Sequence, residues 1–274
     1  MIGRAELMDA AQAINYLLAR QPLALATDFD GTISQIAPTP ARAEVHPDCR
    51  KSLEKLSYIL PLVAIVSGRP AEDVQRLVGL DSVVYIGNHG LERWERGEIH
   101  IAPSASKRVE HIRRIAEAAH SALTFPGLVF EDKGTAAAVH YRLAPDPEFA
   151  REEAGRLLRK LAAGTGVKVV EGRGVIELRP DPKINKGTAL FDLLKRYQLG
   201  SATYAGDDVT DADAFAGLRC WSSAGDRTAV AVAIGSAEVP QRLREDADLV
   251  TAGVEGWADF LEKLARRLNA GGIV

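Results

Sequence analysis

The stretch that decides the fold is Leu23-Ala-Leu-Ala-Thr-Asp-Phe-Asp-Gly-Thr32. Residues 23–27 form an apolar run too short for a helix, and the run stops at Asp28. A short apolar run closed by turn-forming residues reads as a strand covered on both faces, as in a parallel sheet. The pattern recurs at 62–66, stopped by Ser67-Gly68, and at 83–86, stopped by Gly87. It appears again at 202–205, stopped by Gly206-Asp207, and at 229–234. Helical spacing fills the intervals. An amphipathic helix carrying Leu7, Ala10, Ala11, Ile14, Leu17 and Leu18 precedes the first strand. Further helices are predicted at 49–60, with Leu53, Leu56 and Leu60 inward, and at 70–78, with Pro70 in the first turn. Asn185 caps a helix with Leu190, Leu193, Leu194 and Tyr197 on one face. A short helix at 211–218 and a closing one through Trp257, Phe260, Leu261, Leu264 and Leu268 complete the set. Strand–helix alternation of this kind predicts an α/β core with a doubly wound, mainly parallel, Rossmann-type sheet.

Between 105 and 178 the pattern changes. A helix with Val109, Ile112, Ile115 and Ala119 inward precedes strands at 128–131 and 135–142. A helix at 146–163 follows, then a hairpin of 167–170 and 175–178 around Glu171-Gly-Arg-Gly174. This predicts an inserted α+β domain at 105–178 within a core of 1–104 and 179–274. The tail from Asn269 is expected to fray.

Composition narrows the function classes. At 274 residues the chain holds about one to two domains. Hydrophobic residues make up 46% and charged residues 26%, as in folded globular proteins. The 34 Lys+Arg nearly balance the 37 Asp+Glu, which gives no electrostatic case for nucleic acid or an anionic membrane as partner. No apolar stretch approaches the ~20 residues of a membrane helix, and no basic-then-apolar leader opens the sequence. Two cysteines, Cys49 and Cys220, build neither a disulfide scaffold nor a four-ligand zinc site, so a reducing, cytoplasmic setting is expected. The sequence leaves the oligomeric state open, with a monomer favoured.

In an open α/β sheet, ligands bind beyond the carboxyl ends of the strands. The predicted strand ends there carry Asp28 and Asp30, Ser67-Gly68-Arg69, and Gly206-Asp-Asp-Val-Thr-Asp211. Two carboxylates at i and i+2 can divide nucleophile and proton-transfer duties, although an acidic turn has the same composition. Three carboxylates within five residues, Asp207, Asp208 and Asp211, repel one another unless a cation sits among them, and oxygen ligands favour Mg²⁺. A solvated helix N-terminus is the plainer alternative. Ser67 and the N–H groups beyond it suit a phosphate or form an ordinary cap. Lys186 is either a charge directed at the same centre or a surface lysine. No GxxxxGK(S/T), GxSxG, HExxH or CxxC pattern is present, and the six histidines show no metal spacing.

Taken together, DFDGT at 28–32, SGR at 67–69, Lys186 and GDDVTD at 206–211 resemble, in order, the four motifs of the haloacid dehalogenase superfamily of phosphohydrolases. The resemblance implies that Asp28 attacks phosphorus to form an aspartyl phosphate and that Asp30 protonates the leaving alcohol and then activates water. It implies that Ser67, Gly68 and Lys186 hold phosphoryl oxygens, and that Asp28, the Asp30 carbonyl and Asp207 bind Mg²⁺ with Asp208 and Asp211 in support. The insert's position resembles the larger type of cap, which closes over the site and reads the leaving group. The segments GNHGLE at 87–92, FEDKGTAAAVHYR at 130–142, EGRGVIELRP at 171–180 and NKGTAL at 185–190 are similar to the trehalose-6-phosphate phosphatase family. That similarity implies that Glu131, Lys133 and Glu177 bind sugar hydroxyls while Arg69, Asn88, His89 and Arg179 line the substrate space. A surface cross-strand pair of Glu131 and Lys133 is the alternative. Phosphatases for sucrose phosphate, glucosylglycerol phosphate or mannosyl-phosphoglycerate, or a non-catalytic sugar-phosphate sensor, are the competing functions. Two departures accompany the match: Ala212 stands where the family often has an acid, and residues 219–228 fit no family segment.

Overall fold

The structure, a computed structural model, describes residues 7–37, 40–172, 174–180, 183–235 and 239–270. It divides into two compact units, Met1–Ile99 with Asn185–Val274, and His100–Ile184. The divisions therefore fall a few residues from 104/105 and 178/179. The first unit begins with α1 (Ala10–Leu18), β1 (Leu23–Thr27), α2 (Pro47–Ile59), β2 (Leu62–Val66), α3 (Ala71–Val78) and β3 (Val84–Gly87). A hairpin of β4 (Glu92–Glu95) and β5 (Glu98–Ile101) carries the chain onward. The second unit holds α4 (Pro103–Ser106), α5 (Val109–Ala122), β6 (Val129–Asp132), β7 (Ala137–His140), α6 (Pro147–Ala162), β8 (Lys168–Gly172) and β9 (Val175–Arg179). The chain then returns through α7 (Lys186–Lys195), β10 (Ser201–Gly206), α8 (Val209–Ser223), β11 (Thr228–Gly235), α9 (Gln241–Asp246), β12 (Leu249–Ala252) and α10 (Gly253–Ala270).

The larger sheet runs β12-β11-β10-β1-β2-β3-β4-β5, parallel from β12 to β3, with β4 antiparallel to β3. Every residue of β1 and β2 is buried, as the unbroken apolar runs require. Alternation splits them between two cores. Leu23, Leu25, Val63 and Ile65 pack with Leu17, Leu53, Leu56, Trp257 and Leu264 on one face. Ala24, Ala26, Ala64 and Val66 pack with Leu190, Leu194, Phe215, Leu218 and Trp221 on the other. Strand order reverses between β1 and β10, so the switch-point crevice lies at the ends that carry Asp28 and Asp207.

The second face holds α7 and α8 very close together. A Cβ at Gly187 would overlap the Asp213 carbonyl oxygen, and one at Gly217 would overlap the Gly187 carbonyl oxygen. Two glycines thus set the spacing of the helices whose N-termini carry Lys186 and the 207–211 carboxylates. In the second unit an antiparallel sheet, β6-β7-β9-β8, packs Ala137, Val139, Ile176 and Leu178 under Ile112, Ile115, Ala119 and Leu158 of α5 and α6. The alternate residues face the other way.

Several elements go beyond the sequence reading. The β4–β5 hairpin turns on Arg96 and Gly97, both with positive φ (55° and 83°), in a segment too polar to signal a strand. The strand β12 and the six-residue α9 are also unanticipated. The segment 219–228 is not irregular. Helix α8 continues to Ser223, Trp221 is buried, and Arg227 lies 5.0 Å from its ring while donating to its carbonyl. Helix α10 continues through Asn269 to Ala270, and Gly271–Val274 of the expected frayed tail lie outside the described residues, as does Arg173 of the 171–174 turn.

The glycine spacing gives a stability test. Gly217→Ala should cost about 1–3 kcal/mol through overpacking, lowering the melting temperature by roughly 3–10 °C. Gly155→Ala in α6, where an added Cβ meets only the flexible Arg159 guanidinium, should leave it unchanged or higher. Equal melting temperatures for the two variants would contradict the packing account.

Candidate active site

The site starts with a turn. Phe29 is fully buried beneath the loop after β1, and its carbonyl accepts the N–H groups of Thr32, Ile33 and Ser34. Pinning the middle residue sends Asp28 and Asp30 off the other side. The Asp28 N–H donates to the Ala205 carbonyl at 2.8 Å, continuing the β1–β10 ladder, so its carboxylate is fixed by the sheet. Gly31 has φ of 77°, and a Cβ there would overlap an Asp207 carboxylate oxygen, so only glycine lets the two loops meet.

Lys186 is the first residue of α7, behind an Asn185 cap whose side chain accepts the Thr188 N–H. A cation is disfavoured at that end of a helix. Two carboxylates offset this: the Lys186 Nζ lies 2.9 Å from Asp28 Oδ1 and 2.8 Å from Asp211 Oδ1. All three groups are almost wholly removed from solvent, with side-chain exposures of 3%, 6% and 0%. Asp211 accepts two further backbone N–H groups on Oδ2, from Asp207 and Asp208 (3.0 Å each), and the Tyr204 hydroxyl on Oδ1 (2.7 Å). Four donors fill the acceptor sites of one carboxylate. Asp211 is therefore the anchor of Lys186 and of the 207–208 turn. Tyr204, hidden in an apolar strand, gave no sign of this in the sequence.

Oxygens of Asp28, Asp207 and Asp211 lie within 4.8 Å of one another. With one ammonium against three carboxylates, the cluster carries two unbalanced negative charges when fully ionised. Burial, then the charges of Asp211 and Asp207, push Asp28 well above the ordinary carboxylate range against the opposing pull of Lys186. Burial and Asp211 raise Asp207 to about 7. Although burial favours the neutral amine, Asp211 and Asp28 hold Lys186 protonated, above the ordinary lysine value. Burial and Asp211 likewise raise Tyr204, which stays a hydroxyl donor. A dication with oxygen preference, Mg²⁺ foremost, fits this charge and donor set. With Asp211 saturated, Asp28 and Asp207 are the carboxylates to hold it. The carboxylates of Asp30 and Asp208 stand outside the cluster.

Asp30 is instead gripped by Arg69, whose Nε and Nη2 donate to its two oxygens at 2.7 Å each while the guanidinium lies 5.4 Å from the Phe29 ring centre. Ser67 is buried at the end of β2, and its hydroxyl accepts the Arg69 N–H at 3.1 Å. Asn88 and His89 follow β3, with the His89 N–H donating to the Ser67 carbonyl and its ring against Gly68. The first unit thus carries Asp28, Asp30, Ser67, Gly68, Arg69, Asn88, His89, Lys186, Asp207, Asp208 and Asp211 on turns and helix starts next to its strand ends.

The remaining residues lie together in the second unit. Lys133 Nζ donates to Glu177 Oε1 at 2.7 Å, and Arg179 Nε lies 3.8 Å from Glu177 Oε2. Glu131 Oε2 bonds His140 Nε2 at 2.7 Å. Register places Glu131 opposite Ala138 and His140 two residues on, a diagonal neighbour on the sheet face away from α5 and α6. His140 was legible as that neighbour from the alternation of β7, not from metal spacing.

A switch-point sheet bearing a strand-end aspartate, a second one two residues on, and a buried lysine is the core of a haloacid dehalogenase-type hydrolase. The solved haloacid dehalogenase-like hydrolase from Bacteroides thetaiotaomicron shares the fold, with a TM-score of 0.60 over 88% of this chain and 98% of that one at 16% identity. The sequence pattern of the trehalose-phosphatase family matches residues 26–248. The trehalose-phosphate phosphatase of Mycobacterium tuberculosis (strain H37Rv) is 35% identical, the match covering 97% of this chain and 67% of that one. A solved trehalose-6-phosphate phosphatase related protein superposes with a TM-score of 0.76 at 25% identity, over 91% of this chain and all of that one. The chain belongs to the trehalose-phosphatase family.

The raised carboxyls give a pH test. In metal-free protein the folded state holds the Asp207 proton up to about pH 7, whereas the unfolded value is 3.8. The folded state binds more protons in that window, so stability is highest below it and falls as pH rises through it. Thermal melts in EDTA should therefore lose stability from pH 5 to 8. Mg²⁺ should restore it increasingly toward pH 8, because the ion competes with fewer protons. Identical melts with and without Mg²⁺ at pH 8 would contradict the cluster's assignment as a cation site.

Proposed function

We propose that this chain hydrolyses trehalose 6-phosphate to trehalose and phosphate, with Asp28 as nucleophile. The observation that carries the reading is the buried Lys186 ammonium shared by Asp28 and Asp211 at the sheet's switch point. It keeps a reactive carboxylate fixed and offers one remaining N–H to an incoming phosphoryl oxygen, beside the Ser67 hydroxyl. A bound Mg²⁺, held by Asp28 and Asp207, supplies positive charge that offsets repulsion between an anionic nucleophile and an anionic substrate.

Chemistry then falls to the side chains. An Asp28 oxygen bonds to phosphorus as the bond to the sugar oxygen breaks, and Asp30, taking up a proton as it leaves the Arg69 pair, gives that proton to the sugar oxygen. Asp30 then removes a proton from a water, which attacks the phosphorus and frees Asp28 and inorganic phosphate. Each residue ends as it began. The two-point grip of Arg69 fixes the direction in which Asp30 faces between cycles. Substrate identity is assigned to the polar face of the second unit. There Glu131, Lys133, Glu177 and Arg179 offer carboxylate acceptors and cationic donors suited to a polyol. The names of the family and of the 35%-identical relative support trehalose 6-phosphate as the polyol.

Phosphate release from a panel of trehalose, sucrose, glucosylglycerol and glucose phosphates and mannosyl-phosphoglycerate tests the reading. Strong preference for trehalose 6-phosphate, abolished by EDTA, is the expected result, and preference for another member would overturn the substrate assignment. Asp28→Asn should lower kcat by about a thousandfold or more, because an amide is not a competent nucleophile. Substantial activity in that variant would overturn the mechanism.

A further inference from the structure

The turn after β3 is strained. Asn88 and His89 both lie in the left-handed region, with φ of 48° and 55°, and neither is glycine. Such residues are strained and persist only where the surroundings hold them. Their backbone is stitched to the phosphate-side loop: the Asn88 N–H donates to the Arg69 carbonyl at 2.8 Å and the His89 N–H to the Ser67 carbonyl at 2.9 Å. A Cβ at residue 68 would come within 2.7 Å of the His89 ring, so Gly68 is what lets the imidazole lie flat against this loop.

One side chain ties both loops together. Glu92, the first residue of β4, is 6% exposed. Its Oε1 accepts the Asn88 side-chain N–H at 2.7 Å, and its Oε2 accepts the Ala71 N–H at 3.1 Å. Ala71 opens α3, where Pro70 occupies the cap position and makes no side-chain cap bond. Glu92 thus serves from 21 positions away as the anionic cap that Pro70 does not provide. Both partners donate here, and the carboxylate accepts from both.

We propose that Glu92 is a positioning residue for phosphoryl binding: its carboxylate clamps the 67–71 and 87–92 loops into one block that presents Ser67, Arg69 and His89. The proposal rests on the reading of Ser67 as a phosphoryl ligand. Glu92 touches no reacting atom in it. An amide at 92 keeps both bonds, because the Asn88 amide can turn its oxygen toward the introduced NH₂ while the introduced carbonyl accepts the Ala71 N–H; an apolar side chain at 92 accepts neither and releases both loops.

The experiment compares Glu92→Met with Glu92→Gln. Methionine is close in size and accepts neither N–H, so it releases both loops, while glutamine keeps both bonds through the turned Asn88 amide. The readouts are the inhibition constant of inorganic phosphate, the split between kcat and KM, and the melting temperature. Glu92→Met should weaken inorganic phosphate about tenfold and lower kcat/KM by one to two orders of magnitude at a temperature well below melting. Glu92→Gln should bind phosphate to within about threefold of the unaltered protein. Phosphate affinity unchanged in Glu92→Met, with only the melting temperature lowered, would make Glu92 merely structural and overturn the proposal. A glutamine variant no better than the methionine one would overturn the clamp. Inorganic phosphate carries no sugar, so a wrong substrate assignment would leave this comparison standing, and a failed clamp would leave the substrate panel standing.

Discussion

The structure depends on one buried cation. Lys186 places its ammonium between Asp28 and Asp211, at the N-terminal end of a helix and with almost no exposure, where a lone lysine would be neutral or expelled. Everything around it serves that placement. Glycines at 187 and 217 bring α7 and α8 into near backbone contact, Tyr204 and two backbone N–H groups saturate Asp211, and the β1–β10 ladder fixes Asp28. Removing one charge from such an arrangement leaves another uncompensated in an apolar setting, which costs more than the pair contributes. Site and core are therefore one construction.

Much of this was legible in the sequence, for a physical reason. A parallel strand covered on both faces must be apolar along its whole length, so 23–27 and 62–66 announce themselves, and ligand chemistry collects where they stop. DFDGT, SGR and GDDVTD are strand ends, and that position is local information. The individual duties within 206–211 are not local. Asp207, Asp208 and Asp211 are indistinguishable as letters. Only the count of donors around each separates the carboxylate that is saturated from the one still able to hold a cation. Glu92 was hidden for the same reason, since it acts through partners that only folding brings near. The β4–β5 hairpin escaped because its strands are too polar to signal burial. The 219–228 segment matches no family segment, and its place in the fold shows only once Trp221 is seen to be buried and covered by Arg227.

The two units differ in chemistry. The first carries a charged cluster on rigid strand ends. The second supplies a sheet with one face given to α5 and α6 and the other carrying paired carboxylates and cations. Such pairs recognise hydroxyls in the proposed reading, because each can give or accept a hydrogen bond without leaving a bare charge. Within the first unit, Arg69 links the two duties through its grip on Asp30 and its backbone contacts to Ser67 and Asn88.

The most direct test of the account is the site of covalent attachment during turnover. Enzyme mixed with trehalose 6-phosphate, quenched in acid within milliseconds and digested, should show the phosphoryl group on the peptide containing Asp28, on that carboxylate alone. Turnover with the label on any other residue, or with no protein-bound phosphate at any quench time, would contradict the claim that Lys186 holds Asp28 in place as the nucleophile.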